Sequence, residues 1–183
     1  MQVYSSQTRS ITLTHRRSDP AVMRFLEVYV SRLEAPIAVQ IWNTLFNFAR
    51  DILSASSSTG KTQLYPVLRC VTIVCKTVST TSALEDRRLR RDLQDVYLKL
   101  LDGVVSNATK SAESALWRRE SPNPDRSVEK PSDNDDGLGV LHDYIASQVI
   151  PNLRSFLADN DKIASAATTI SSGLVQPAFR RQR

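Results

Sequence analysis

An all-α fold, built as an α-solenoid of stacked helix pairs with a disordered insert, is what this sequence predicts. Three observations carry the prediction. Apolar residues recur at three- and four-residue spacing through most of the chain, the period of a helix with one buried stripe. Long alternations of apolar and polar residues, the mark of strands, are missing. Glycine is scarce, 5 in 183 residues, so breaks in regular structure are few. The hydrophobic share of 41% is enough for a core, and it lies in blocks separated by polar stretches.

Taken in order, residues 1–18 are polar, carry Arg9, His15, Arg16 and Arg17, and read as a flexible lead-in. Asp19 and Pro20 predict a helix start, because the Asp side chain can accept from free amides and Pro suits the first helical position. Val22, Leu26, Tyr29 and Leu33 then form one stripe. Pro36 opens a second helix, with Ile37, Ile41, Leu45, Phe48 and Ile52 on one stripe and Ala38, Trp42, Phe46 and Ala49 beside it. A stripe that wide implies a helix covered on two sides.

Residues 54–60, mostly Ser, Ala and Thr, read as a loop. A third helix follows on Leu64, Val67, Leu68, Val71, Val74, Cys75 and Val78. Its β-branched content makes a strand the alternative for part of it. Ser82 with Glu85 three residues on is a capping-box signature for a fourth helix, whose apolar face is Leu89, Leu93, Val96, Leu100 and Val104. These four helices make up residues 19–117.

Residues 118–136 hold Pro122, Pro124, Pro131 and many charges with almost no large apolar side chain, which predicts a disordered linker. Residues 137–179 read as a final helix pair. Its first helix uses Leu141, Ile145, Val149, Leu153 and Phe156, with Pro151 expected to kink it. Its second, from about Lys162, uses Ile163, Ala167, Ile170 and Leu174. Residues 180–183 are a basic tail. Three successive helix pairs, first with second, third with fourth and fifth with sixth, are the unit of a HEAT- or armadillo-like solenoid, although no residue-level repeat is visible.

The net charge of +5 permits contact with nucleic acid or an anionic membrane and selects neither. Cys70 and Cys75 point apart on a helix, and with no secretory signal they read as reduced core thiols in a cytosolic protein. The longest uncharged stretches, Ala35 to Ala49 and Ile163 to Phe179, are too short or too polar to span a bilayer.

Candidate chemistry is thin. Gly60, Lys61 and Thr62 resemble the end of a phosphate-binding loop, but Ala55 stands where a second Gly is needed and a helix leads in, so a helix-to-helix loop is the better reading. Asp133, Asn134, Asp135, Asp136 and Gly137 fail as a calcium loop, since Gly comes too early and Tyr144 replaces the bidentate Glu. His15 and His142 lie far apart with no clustered partners, and no metal site, cofactor or catalytic residue is expected.

Arg87, Arg88, Arg90 and Arg91 form the densest basic cluster. Interleaved Asp86, Asp92 and Asp95 favour a solvated face laced with weak ion pairs, Asp86 and Arg90 standing in the favourable order. The functional alternative is contact with an anionic lipid headgroup, a phosphorylated partner or an acidic protein surface. Four arginines near a helix N-terminus oppose the dipole there, a small cost that hints at a use. Nucleic-acid binding is the rival suggested by the basic charge. It wants aromatic residues placed for stacking, whereas Phe25, Trp42, Phe46, Phe48 and Phe156 fall mostly on apolar stripes, and Trp117 beside Arg118 and Arg119 is the exception.

Three stretches resemble the Dopey family. They are Leu33-Glu34-Ala35-Pro36-Ile37-Ala38-Val39-Gln40-Ile41-Trp42, then Ala83 to Asp95 with Lys99-Leu100-Leu101-Asp102, and Val149-Ile150-Pro151-Asn152-Leu153-Arg154 with Phe156-Leu157 and Asp159 to Ile163. The resemblance implies a large helical-repeat scaffold, cytoplasmic and peripheral on Golgi and endosome membranes. It implies work in endosome-to-Golgi retrieval with a large Arf-exchange-factor-like scaffold and a lipid flippase, and no active site. It further implies that this chain is an internal or truncated piece. The expected role is therefore a non-enzymatic interaction surface, with no nucleic acid bound, and an exposed apolar face where further repeats would stack.

Overall fold

The computed structural model describes residues 20–55, 58–120, 134–157 and 159–175. Among them every regular element is helical. The first helix, α1 (Pro20–Ser31), is followed by α2 (Ala35–Ser54), which opens with Pro36 in its first turn where the missing amide hydrogen costs nothing. The third, α3 (Ser58–Ser79), begins before the position the sequence suggested. Its first turns take up Gly60, Lys61 and Thr62, and Pro66 lies inside it. The strand alternative for this segment is excluded, because it is helical throughout and packs on α1, α2 and α4.

A 3₁₀ turn, Ser82–Glu85, leads into α4 (Arg87–Glu120), the longest element at 34 residues. The capping box expected from Ser82 and Glu85 is displaced. Thr81 caps the 3₁₀ turn by accepting from the Ala83 amide at 3.2 Å, and Asp86 caps α4 by accepting from the Arg88 amide at 2.8 Å. The helix continues through Glu120 and α5 (Asn134–Tyr144) starts three residues before 137, so both enter the stretch read as linker, whose residues 121–133 lie outside the described part.

After α5 the backbone widens into a π turn at Ile145–Val149, tightens into a 3₁₀ turn at Ile150–Asn152, and resumes as α6 (Leu153–Phe156). Pro151, which cannot donate, sits in the 3₁₀ turn, so the expected kink is there. The last helix, α7 (Asn160–Ile170), is capped by Asp159, which accepts from the Asp161 amide at 3.1 Å, and runs into a π turn at Ser171–Val175.

These helices stack in two rows. One row runs α1, α3, then α5–α6; the other runs α2, α4, α7. Each junction between layers is marked by side chains: Glu27 with Arg69, Arg50 with Asp92, Asp95 with Lys162, and Tyr65 with Tyr144. Stacking of each helix on the element two along is the pattern of an all-α solenoid. Within the first layer the pairing departs from expectation, since α1 packs mainly on α3 and little on α2.

The core lies between the rows. Trp42 and Phe46 of α2, Leu68 of α3, Tyr97 and Leu100 of α4, and Phe156 of α6 are all buried. Each such side chain contributes on the order of 2–3 kcal/mol by leaving water. Tyr97 and Phe156 meet edge to face at 5.3 Å, so α4 holds the third layer through an aromatic contact as well as through burial. In the first layer Val22, Phe25, Val28, Tyr29 and Ile37 stay exposed, Phe25 by 69%, and in the third so do Val140, Ile150 and Val175. The expected apolar end face is therefore present.

Candidate functional site

Arg87, Arg88, Arg90 and Arg91 occupy the first turns of α4, just after the Asp86 cap. Arg87, Arg88 and Arg91 are exposed and Arg90 is half-buried. The ion-pair lacing expected from the sequence is absent. Among the described residues none of the four arginines forms a salt bridge or a side-chain hydrogen bond. Their acidic neighbours are occupied elsewhere: the Asp86 carboxylate accepts from the Arg88 amide, Asp92 lies 3.5 Å from Arg50, and Asp95 lies 2.9 Å from Lys162. Spacing along α4 could not reveal this, because both aspartates reach across to other helices. Arg87, Arg88 and Arg91 thus face solvent with Arg90 half-buried beside them, and the nearby Asp92 and Asp95 pair with cations of other helices.

A groove of about 580 Å³ lies between α1 and α3. Arg69 lies on its wall, with Glu27 at 2.5 Å and the Tyr65 and Tyr144 rings at 5.8 and 5.7 Å. Burial pushes the Tyr144 hydroxyl up to about 12 and raises that of Tyr65, so both stay neutral near pH 7. Arg69 was not singled out by sequence. Its neighbours come from three different helices, a juxtaposition no local pattern encodes. The cluster ties layers together and holds no nucleophile beside a base.

The remaining sequence candidates resolve as structure. Gly60, Lys61 and Thr62 belong to α3 and not to a loop, and the Lys61 carbonyl accepts from Asn107 at 3.4 Å. Asn134, Asp135, Asp136 and Gly137 form the start of α5, so no loop is there to wrap a cation. His142 is exposed beside Asp143. Cys70 and Cys75 are free and buried, and burial pushes the Cys70 thiol up to about 12 and that of Cys75 higher still. Trp42 and Phe46 pack on each other at 4.4 Å inside the core, unavailable for base stacking. The Trp117, Arg118 and Arg119 side chains, His15 and Asp133 lie outside the described part. No group of three or more His, Cys, Asp or Glu able to hold a metal occurs among the described residues. None of the described helices is long and apolar enough to cross a membrane.

The chain matches a protein-family model, DOP1 C-terminal, over residues 25–183. That span covers most of the chain, including all of the layered helices except the start of α1. The chain belongs to the Dopey family. A Dopey relative, Protein dop1 of Emericella nidulans, is 29% identical over 176 residues. The match takes in 94% of this chain and 9% of the relative, so the chain spans only a small part of that polypeptide's length. No solved structure matches this Dopey chain.

Proposed function

We propose that this Dopey chain is a non-enzymatic scaffold segment in vesicle-mediated protein transport between endosomes and the Golgi. In this reading it is cytoplasmic and rests peripherally on those membranes, with Arg87, Arg88, Arg90 and Arg91 touching their anionic headgroups. The observation that carries the contact is the set of four unpaired arginines at the head of α4, with Asp92 and Asp95 drawn off by Arg50 and Lys162. Clustered cations attract an anionic leaflet by about 1 kcal/mol each near the surface. The solenoid rows leave the rest of the surface to protein partners, among which a large Arf-exchange-factor-like scaffold and a lipid flippase are the ones the family suggests.

The test compares binding of the purified chain to phosphatidylserine-containing vesicles and to mixed-sequence RNA at physiological salt. Vesicle binding is expected, and so is its loss in an Arg87→Ser/Arg88→Ser/Arg90→Ser/Arg91→Ser variant whose helical circular dichroism matches the wild type. RNA binding without vesicle binding would replace this reading with the nucleic-acid one. Binding to neither would leave a protein contact as the role of the cluster. Unfolding of the variant would make the arginines structural.

A further inference from the structure

Ser82 is not used for the cap that its spacing from Glu85 suggests. Thr81 caps the 3₁₀ turn and Asp86 caps α4, so the Ser82 side chain is exposed and makes no hydrogen bond among the described residues. Residues three apart in a 3₁₀ turn lie one above the other, which puts the exposed Glu85 carboxylate on the same side as the Ser82 hydroxyl. Asp86 follows, and then Arg87, Arg88, Arg90 and Arg91. None of the four residues of the turn is buried, so it opens into an extended segment more readily than the helices around it. Ser31 stands three before Glu34 in the same way, but its hydroxyl is held by the Val28 carbonyl at 2.8 Å in the last turn of α1.

We propose that Ser82 is a phosphorylation site for an acidic-directed Ser/Thr kinase, and that its phosphate engages the arginines at the head of α4. Such kinases read a carboxylate three residues after the hydroxyl, which is where Glu85 stands, with Asp86 next. The kinase moves the γ-phosphoryl of ATP. The bond from that phosphorus to the bridging oxygen of ADP breaks, a bond to Ser82 Oγ forms, and the hydroxyl proton passes to the base of the kinase. Charge decides what the product does. The four arginines set against Glu85 and Asp86 leave two positive charges, and a phosphoserine adds about 1.5–2 negative ones near pH 7. One phosphate therefore cancels the local excess. Among the described residues the arginines have no competing partner, since Asp92 and Asp95 are held by Arg50 and Lys162. A guanidinium offers phosphate two parallel N–H donors, so arginine suits this ligand better than lysine. The consequence for a membrane rests on the proposed contact of the same arginines with anionic headgroups: phosphorylation of Ser82 releases it.

The test uses the 183-residue chain carrying Ser132→Ala, because Ser132 also stands three before an acidic residue, Asp135, and lies outside the described part. The chain is incubated with an acidic-directed kinase, ATP and Mg²⁺, and the phosphate is mapped by peptide mass spectrometry. Phosphate on Ser82 is expected, and its absence overturns the inference. Phosphorus NMR then follows the second ionisation of the phosphoserine. Held by arginines, it should fall below its ordinary value of about 6 and return there in the Arg87→Ser/Arg88→Ser/Arg90→Ser/Arg91→Ser variant. High salt should raise it likewise in the chain that keeps its arginines. A value at or above the ordinary one, with Glu85 and Asp86 prevailing, overturns the capture of the phosphate. Binding to phosphatidylserine vesicles should weaken about tenfold or more on phosphorylation, and stay unchanged when a Ser82→Ala chain is treated with the kinase. Equal binding of the phosphorylated and unmodified chains overturns the release. Failure of the unmodified chain to bind vesicles overturns the membrane contact alone, since the phosphorus titration needs no membrane.

Discussion

Cys70 and Cys75 lie fully buried in α3, and their ionisation is linked to folding. Burial raises both, Cys70 from 9.0 to about 12, so the folded chain keeps neutral thiols where the unfolded chain would ionise. A raised folded value means stability fully present below the unfolded pKa and lost as pH climbs from about 9 towards 12. The melting temperature should thus fall between pH 8 and about pH 10.5, and fall less in a Cys70→Ala/Cys75→Ala variant. Gly173 is a second decisive position. A Cβ there would stand 2.0 Å from Cγ1 of Val105, a branched side chain with little room to turn. The Thr109 hydroxyl also donates to the Gly173 carbonyl at 3.0 Å, fixing the last turn against α4. Gly173→Ala is expected to cost about 1–3 kcal/mol in urea unfolding, and adding Val105→Ala should recover part of it by relieving the clash.

At the scale of elements, the entry into α4 decides between two caps. The sequence pattern points to Ser82 and Glu85, but the chain makes a 3₁₀ turn there and places Asp86 at the helix start. Asp86→Ala should therefore cost about 1 kcal/mol, while Ser82→Ala changes little. Equal losses in chemical denaturation would restore the sequence-based cap. Asp86 also supplies the negative charge that four adjacent arginines deny to the helix N-terminus, so its removal should weaken α4 more than an average cap loss. The route from α5 to α6 is set by Pro151 in the same local way. A missing amide hydrogen forces the turn to tighten, and the preceding residues widen into a π turn to keep Ile145, Val149, Leu153 and Phe156 facing the core.

For the whole molecule, α3 and α4 are the axis on which both other layers rest. Tyr97 is the side chain that joins them, with its hydroxyl 3.4 Å from Thr72 of α3 and its ring against Phe156 of α6. Tyr97→Ala should cost about 3–5 kcal/mol, and hydrogen exchange should show α6 and α7 opening before α2 and α3. Tyr97→Phe keeps the ring contact and should lose no more than about 1 kcal/mol, because a 3.4 Å hydroxyl contact is long. The half-exposed ion pairs Arg50–Asp92 and Asp95–Lys162 set register between layers more than they add stability.

Helical period, prolines and the shortage of glycine were enough to read off the all-α class and the break at Pro151, because those depend on residues within one or two turns of each other; the packing of α1 on α3 in place of α2 was not legible, since it depends on contacts between helices. The wording of residues 33–42, 83–95 and 149–154 was enough to recognise the family. The start of α3 was misplaced because a Ser- and Thr-rich stretch has weak preferences of its own, which packing against α4 overrides. The pairing of Asp92 with Arg50 and Asp95 with Lys162, and so the isolation of Arg87, Arg88, Arg90 and Arg91, was illegible for a different reason. A charge on one helix cannot choose between a neighbour four residues away and a cation on another helix until the helices are stacked. The same holds for Arg69 among Glu27, Tyr65 and Tyr144. Sequence alone determined that the helices are amphipathic; tertiary structure decided which stripe of each was buried, Met23 and Val30 of α1 in place of Val22 and Tyr29, and which charges were left without a partner, since only stacking sets the distances between them.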